Sequence, residues 1–197
     1  MIWLSILFPR GRRRYIREDP STAYQRAAHY QIIPGFSGLF VLQMGPIISA
    51  VADLTIIRSA SEVGWPLRAI GLAVTLSGVF LVVASVRAIG LASVGFADEY
   101  ETTPPAHLVR GIYSWLRHPI AFAGTLGSTG LIIALGGNIA LAVVNVAVLA
   151  IYGPLEDRRL QGVFGEVNAS YQRRVRRFVP IRRPEVLLDK RMPGTPA

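Results

Sequence analysis

The feature that most constrains the fold of this chain is a run of 37 residues without a charge, from Pro119 to Leu155. Two shorter blocks, Gln31 to Ala52 and Ala69 to Val86, also lack charged residues. A helix needs roughly 20 mainly apolar residues to cross a bilayer, so each shorter block fits one crossing. The long run would form a helix of about 55 Å, which is too long for a single crossing.

The long run contains a turn signal at its centre, Gly136-Gly137-Asn138. A break there leaves two apolar segments, Pro119–Leu135 and Ile139–Leu155, and we expect them to form a helical hairpin with its turn at the far membrane face. The sequence therefore predicts an all-α, polytopic integral membrane protein with four transmembrane helices. We expect an amphipathic cytoplasmic helix over Glu156 to Arg177 after the hairpin.

The rest of the chain is more polar. We expect Arg10 to Tyr30 to form a surface helix, and Phe96 to Leu108 to form a polar loop. The predicted divisions are a basic cytoplasmic or interfacial segment (1–31), the first two transmembrane helices (32–95), a region of loop, hairpin and last helix (96–180), and a tail (181–197).

The charge distribution agrees with four crossings. The chain has 21 Lys and Arg against 12 Asp and Glu, a net charge of +9. Four crossings place all the basic residues except Arg58 and Arg68 on one side of the membrane. Because cytoplasmic loops are enriched in Lys and Arg, we expect both termini in the cytoplasm and a multi-pass protein of a prokaryotic cell membrane.

The basic residues at the carboxyl terminus fit a lipid surface better than a nucleic acid. They follow a predicted crossing, where anionic lipid headgroups attract arginine by about 1 kcal/mol each. These residues are Arg173, Arg174, Arg176, Arg177, Arg182 and Arg183. We therefore expect anionic membrane lipids as partners and no nucleic acid.

Several kinds of site are excluded or unsupported. The chain has no cysteine, which excludes disulfides, thiolate metal sites and cysteine nucleophiles. Its three histidines, His29, His107 and His118, do not have the spacing of metal ligands, so we expect no metal. No serine stands in a nucleophile-elbow pattern. The glycines Gly124, Gly127 and Gly130 do not form a dinucleotide fingerprint, and we interpret them as contacts between membrane helices.

Two polar clusters bracket the uncharged run. GIYSWLRHP precedes it and contains Tyr113 and Arg117, which are four residues apart and would share a face of a helix. Gly111 permits close backbone approach. LEDRRLQGVFG follows it, beginning at Leu155. A hairpin with two similar arms would return Glu156 to the level of His118 at the cytoplasmic face.

Each cluster also has a purely structural interpretation. Proline is common at the start of a helix, and Arg and His are common at the membrane interface just before it. Glu156 and Asp157 could simply pair with Arg117, Arg158 or Arg159.

Two stretches carry a family likeness. HLVRGIYSWLRHPIAFAG, followed after the apolar run by LEDRRLQGVFGEVNASYQRRVRRFVP, resembles the isoprenylcysteine carboxyl methyltransferase family, which is related to membrane phospholipid methyltransferases. The similarity extends from His107 to Pro180, so the region 96–180 is interpreted as methyltransferase-like.

The resemblance implies an integral membrane enzyme that uses S-adenosylmethionine. It implies catalytic roles for Arg117, His118 and Glu156. The implied cofactor-binding residues are His107, Leu108, Val109, Gly111, Tyr113, His118, Pro119, Ala121 and Glu156. This set suits the cofactor, because a sulfonium and an ammonium call for an acid and aromatic surface such as Tyr113 or Trp115, and a carboxylate calls for Arg117 or His118.

Three positions depart from the family pattern. Ala121 stands where the family often has tyrosine, and Asn168 also replaces a usual tyrosine. Tyr152 stands where the prenylcysteine enzymes have an arginine for the substrate carboxylate, so we assign Tyr152 to the substrate site and leave the acceptor open.

The leading hypothesis is methyl transfer to a lipophilic acceptor that enters from the bilayer. The alternatives are N-methylation of a lipid amine, O- or S-methylation of a small apolar metabolite, and a non-catalytic scaffold or lipid-binding protein with the same fold. A nicotinamide-dependent membrane reductase lacks a recognisable dinucleotide motif.

Overall fold

The computed structural model describes residues 8–33, 48, 64–94, 96–100, 111–136 and 139–179. Within these ranges every regular element is helical, which confirms the predicted all-α class. The predicted first crossing, Gln31 to Ala52, lies outside the described residues except for 31–33 and 48. Residues 137 and 138 of the predicted turn also lie outside them.

The amino-terminal segment is two short helices rather than the one that we predicted. Helix α1 is Phe8–Glu18, and α2 is Ala23–Ala27, which continues as a wider π-helical turn over Ala28–Ile32. Between α1 and α2 the Asp19 carboxylate accepts hydrogen bonds from the Ser21 backbone N–H at 2.9 Å and from the Thr22 hydroxyl at 2.7 Å. Such local side-chain hydrogen bonds compete with helix continuation.

Helix α3, Trp65–Ile89, contains the whole of the second predicted crossing. It has a proline in its first turn and ends at Gly90, whose φ of +83° suits a residue without a side chain. The short helix α4, Leu91–Val94, follows. Within the predicted loop from Phe96, Ala97–Tyr100 forms a 3-10 turn.

The uncharged run forms helix α5, Pro119–Ala134, and the first half of helix α6, Ile139–Arg174. The two helices contact each other in opposite chain directions. The Asn145 side-chain amide donates hydrogen bonds to the Ser128 hydroxyl at 2.6 Å and to the Thr125 carbonyl at 3.2 Å. These contacts satisfy a polar side chain that is buried between apolar helices.

Helix α6 does not end at Leu155, as the prediction of a separate last helix requires. It continues to Arg174 and is interrupted at Gly165, which has non-helical angles (φ 54°, ψ −129°). The turn signal nearest to Leu155 is the pair Gly153-Pro154, and both residues lie inside the helix. A proline removes one backbone donor and need not end a helix that its neighbours hold in place.

Glycines bring α3 and α5 into close contact. A Cβ atom on Gly71 would lie 2.4 Å from the Ala134 backbone nitrogen, and one on Gly78 would lie 2.5 Å from the Gly127 nitrogen. A Cβ on Gly130 would lie 2.6 Å from the backbone nitrogen of α3 at residue 75. We call this contact the glycine seam, formed by Gly71 and Gly78 of α3 with Gly127 and Gly130 of α5.

The seam confirms the packing interpretation of two of the three glycines that the sequence singles out. Gly127 and Gly130 face α3, whereas a Cβ on Gly124 would meet nothing within 4 Å. Small residues of this kind allow close approach of membrane helices.

Within the described ranges, two helices are long and apolar enough to cross a membrane: α3 over its whole length, and Ala140–Arg174 of α6. Helix α5 is apolar but shorter, with 16 residues. Away from the seam, α3 exposes large apolar side chains, which suits a lipid environment better than water. They are Trp65, Leu67, Ile70, Leu72, Leu76, Val79, Phe80 and Val83.

Candidate active site

A buried histidine joins the two polar clusters. His118 directly precedes α5, and its Nδ1 lies 2.9 Å from Oε2 of Glu156 on α6. Its Nε2 lies 2.7 Å from Oδ1 of Asp157. Because α5 and α6 run in opposite directions, residues that are 38 positions apart in the chain meet at the same end of the helix pair. The expected meeting of His118 with Glu156 is therefore present.

Asp157 is the centre of a second set of contacts. Its Oδ2 lies 2.8 Å from an Arg117 guanidinium nitrogen and 2.7 Å from one of Arg177. Arg117 thus pairs with Asp157. Of the two adjacent acids, only Glu156 was predicted from the sequence to be a site residue, and Asp157 was named only as a possible ion-pair partner. The two adjacent acids in LEDRR were the available signal, since neighbouring positions on a helix can both reach a cluster beside it.

A third buried contact, between Arg159 and Glu99, was not predicted from the sequence. Arg159 of α6 donates to the carboxylate of Glu99, and its other terminal nitrogen lies 3.3 Å from Oε1 of Glu156. The guanidinium also lies over the Phe96 ring, 4.6 Å from its centroid. The Glu99 and Arg159 side chains are 4% and 2% exposed. They are 60 residues apart in the chain, and no local pattern links them.

The electrostatics of the cluster favour a charged histidine. Burial acts to lower the pKa of His118, but the charge of Glu156 and hydrogen bonds to both acids outweigh it and raise the pKa to about 9. At neutral pH both ring nitrogens then donate, one to each acid. Burial raises the pKa of Glu99, and Arg159 opposes this shift.

Tyr113 and Tyr152 occupy different parts of the site. Tyr113 is buried in a 3-10 turn, Gly111–Ser114. The prediction that Tyr113 and Arg117 share one face of an α-helix is therefore wrong. The Tyr113 backbone carbonyl accepts a 2.7 Å hydrogen bond from the Tyr171 hydroxyl. The Tyr152 hydroxyl lies near Glu156, and the residue also packs against the cluster around Phe96.

The remaining predicted residues lie around this centre. Pro119 is fully buried at the start of α5, Ala121 is half-buried two residues further on, and Gly111 is exposed with a φ of +55°. His107, Leu108 and Val109, the predicted cofactor loop, lie outside the described residues.

The segment after α6 folds back over the cluster. The Phe178 ring lies 6.2 Å from the His118 ring, and the Arg117 backbone N–H donates to the Arg176 carbonyl at 3.0 Å. A Cβ on Gly153 would lie 2.4 Å from Cζ of Phe178, so the glycine gives the Phe178 side chain room to pack against α6. From the sequence, the arginines of this segment were predicted to contact lipid headgroups, and their contacts with the site were not predicted.

The family model for phospholipid methyltransferases matches residues 67–167 of the chain. The match contains α3 except for its first two residues, the whole of α5, His118 and the Glu156-Asp157 pair. A comparison with curated proteins finds no match. A comparison with solved structures finds no match either.

A match over half of the chain shows the family, so this protein belongs to the phospholipid methyltransferases. The resemblance to membrane methyltransferases is thereby confirmed at the level of the family. Together with the apolar helices, it indicates a membrane methyltransferase.

Proposed function

We propose that this member of the phospholipid methyltransferase family transfers the methyl group of S-adenosylmethionine to a lipophilic acceptor at the cytoplasmic membrane face. The observation that carries the proposal is the contact of His118 with Glu156, a charged cluster located where apolar helices reach their polar ends. Ionisable groups beside membrane segments are costly and usually functional. The proposed topology is four crossings, with α5 and the first half of α6 as a hairpin.

The residues of the cluster suit the methyl donor chemically. S-adenosylmethionine carries an ammonium, a sulfonium and a carboxylate, and when bound it supplies an activated methyl group. The Glu156 side chain is 15% exposed, more than that of Asp157, and would hold the cationic part or a hydroxyl. Arg117, whose side chain is 13% exposed, would bind the carboxylate. Trp115 offers an exposed aromatic surface.

His118 acts as a positioning residue in this proposal. Both of its ring nitrogens are engaged by acids, and its pKa of about 9 keeps it charged at neutral pH. A charged imidazole already carries a proton on each ring nitrogen. His118 therefore cannot take a further proton from the molecule that is methylated. Its role is to hold the carboxylates of Glu156 and Asp157 side by side. Methyl transfer depends mainly on orientation, which such a fixed cluster supplies.

Tyr152 favours a lipid amine as the acceptor over a prenylcysteine carboxylate. A carboxylate acceptor needs a cation, and at this position the chain has a tyrosine, whose neutral hydroxyl lies near Glu156. An amine acceptor must instead lose a proton before it is methylated, and Glu156 is the candidate to accept it. N-methylation of a lipid headgroup amine is therefore the preferred form of the proposal, and O- or S-methylation of a small apolar metabolite is the alternative.

Calorimetry on the full-length protein in detergent tests the methyl donor. We expect S-adenosylmethionine and its demethylated product to bind, and Glu156→Gln to weaken binding by about tenfold or more, which is the effect of losing one charged hydrogen bond. Glu166→Gln is the matched control, because Glu166 lies on the same helix and is exposed.

Three outcomes separate the hypotheses. If the parent protein binds neither compound, the methyltransferase proposal is wrong and a scaffold or lipid-binding role takes its place. Binding of NADPH instead would favour a reductase. If Glu156→Gln binds as tightly as the parent, Glu156 is not part of the site. The acceptor is then identified by incubating lipid extracts with methyl-labelled donor, where label in amine-containing lipids is the expected result.

A further inference from the structure

Arg159 divides its guanidinium between two carboxylates. One terminal nitrogen contacts Oε1 of Glu99, and the other lies 3.3 Å from Oε1 of Glu156. The contact with Glu99 is the shorter of the two. Glu99 uses one oxygen for it, and the second oxygen has no hydrogen-bond partner among the described residues. Of these two acids, Glu99 therefore holds Arg159 more tightly than Glu156 does.

This division leaves Glu156 available to His118. Oε2 of Glu156 lies 2.9 Å from Nδ1 of His118, a shorter distance than that from Arg159 to Oε1. Without Glu99, the nearest acid to the buried Arg159 guanidinium among the described residues would be Glu156. Opposite charges attract each other strongly in a site that excludes water. The Arg159 guanidinium would therefore move towards Glu156 and compete with His118 for its carboxylate.

We propose that Glu99 is a positioning residue of the methyl-donor site, which holds Arg159 away from Glu156 and so keeps the Glu156 carboxylate on His118. The inference rests on the proposed function only in the statement that Glu156 binds the donor. Its structural part, the effect of Glu99 on the His118–Glu156 contact, stands without a ligand.

The amino-terminal helix fixes Glu99 in turn. The Arg12 side chain of α1 donates to the Glu99 backbone carbonyl, and its guanidinium lies 5.9 Å from the centre of the Tyr100 ring. Tyr100 also contacts Tyr24 of α2, with ring centroids 5.8 Å apart. The turn that contains Glu99 is thus held in place by contacts with α1 and α2, which lie outside the α5–α6 pair. Such a fixed position suits a residue that determines where Arg159 lies.

A buried ion pair can also serve stability alone, and the two roles predict different results. If the pair is only structural, its loss lowers the stability of the protein and leaves the environment of His118 unchanged. If Glu99 positions Arg159, its loss changes the charge that His118 experiences. The groups facing His118 are Glu156 and Asp157 of α6, with Arg117 and Arg177 bound to Asp157. All of them are still present in a Glu99 variant, so the change in pKa would come from the altered contact between Glu156 and His118.

The experiment measures the pKa of His118 by NMR in full-length protein with labelled histidine. The chain has three histidines, so the signal of His118 must be assigned. It is the signal that disappears in His118→Gln, and Glu→Gln substitutions near the site should shift it. We expect the His118 pKa in Glu99→Gln to fall below the parental value of about 9, because Arg159 moves towards Glu156. Glu18→Gln, which removes an exposed acid of α1, is the control and should leave the pKa unchanged.

A double variant tests the route through Arg159. In Glu99→Gln/Arg159→Gln no guanidinium remains to compete for Glu156, so the pKa of His118 should return to the parental value or above it. Glu99 then matters only when Arg159 is present, which is the non-additive signature of coupled residues. This double variant replaces a buried ion pair with two neutral amides, and it keeps the test open if Glu99→Gln alone does not fold.

Binding of S-adenosylmethionine gives the second measurement. We expect Glu99→Gln to weaken binding by about tenfold and the double variant to restore it, in the range of coupling that contacting residues show. A parental His118 pKa in folded Glu99→Gln, or a double variant whose pKa remains low, would overturn the inference. If the pKa responds as expected but the parent protein does not bind the donor, the positioning is upheld and the proposed function is wrong.

Discussion

The glycine seam and the charged cluster hold α5 to two different helices, α3 and α6, by opposite means. The seam between α3 and α5 has no charge, and its strength depends on backbones that touch because side chains are absent. The cluster at the end of α5 and α6 depends on three acids and on the cations between them. A packed seam tolerates no added atom, whereas an ion-pair network tolerates changes of shape better than changes of charge. The scaffold is thus fixed by sterics and the site by electrostatics.

The largest effect is expected from a single methyl group in the seam. Gly78→Ala places a Cβ 2.5 Å from the Gly127 nitrogen and 2.6 Å from its Cα, and backbone cannot move aside as a side chain can. Overpacking of this kind costs about 3 kcal/mol or more, so we expect a large drop in the thermal midpoint in detergent.

Gly124→Ala is the matched control for the seam. It adds the same methyl group to α5 at a position where nothing lies within 4 Å, so the thermal midpoint should not fall. Equal losses in the two variants would show that the seam does not depend on close backbone approach.

The next effect is expected in the cluster, where Asp157→Asn keeps the shape and removes the charge. Asp157 contacts His118, Arg117 and Arg177, and breaking a buried pair from one side costs about 3 kcal/mol because the partner charges are left behind. Thermal unfolding in detergent measures the loss. Glu166→Gln, which removes an exposed partner of Arg173, should produce no measurable change, and a loss as large as that of Asp157→Asn would contradict the distinction.

The smallest effect is a dependence on pH that the cluster has and the seam lacks. The pKa of His118 is raised on folding from 6.5 to about 9, so the folded state binds this proton more tightly than the unfolded chain. The stabilisation is complete below about pH 6.5 and is lost as the pH rises through about 9. Thermal midpoints at several pH values between 6 and 10 should therefore fall, and they should fall less in His118→Gln. Parallel curves would exclude His118 as the cause.

The sequence predicts the helices better than it predicts the contacts between them. The apolar segments Ala69 to Val86 and Pro119 to Leu135 correspond to α3 and α5, because an uncharged run ended by Gly or Pro is a local signal. The continuation of α6 through Leu155 was missed, since the change from apolar to charged residues marks the end of a membrane segment and not the end of a helix.

The site was predicted in part for the same reason. His118 and Glu156 were found from a motif and from a hairpin of equal arms, both of which can be recognised along the chain. Glu99 was named only as part of a polar loop, and its partner Arg159 as one choice among three. Long-range partners cannot be chosen from spacing, because many acids and many arginines have equal claims in the sequence.

By itself, the sequence determined an all-helical chain with apolar segments of membrane length and with polar clusters beside the longest one. These properties follow from composition and from local order, which each segment carries within itself. Only the tertiary structure decided which glycines lie in the seam, that Asp157 gathers three cations, and that Glu99 holds Arg159. Such choices depend on the distance between two helices to within about one atom, since steric and ionic contacts both change steeply at short range.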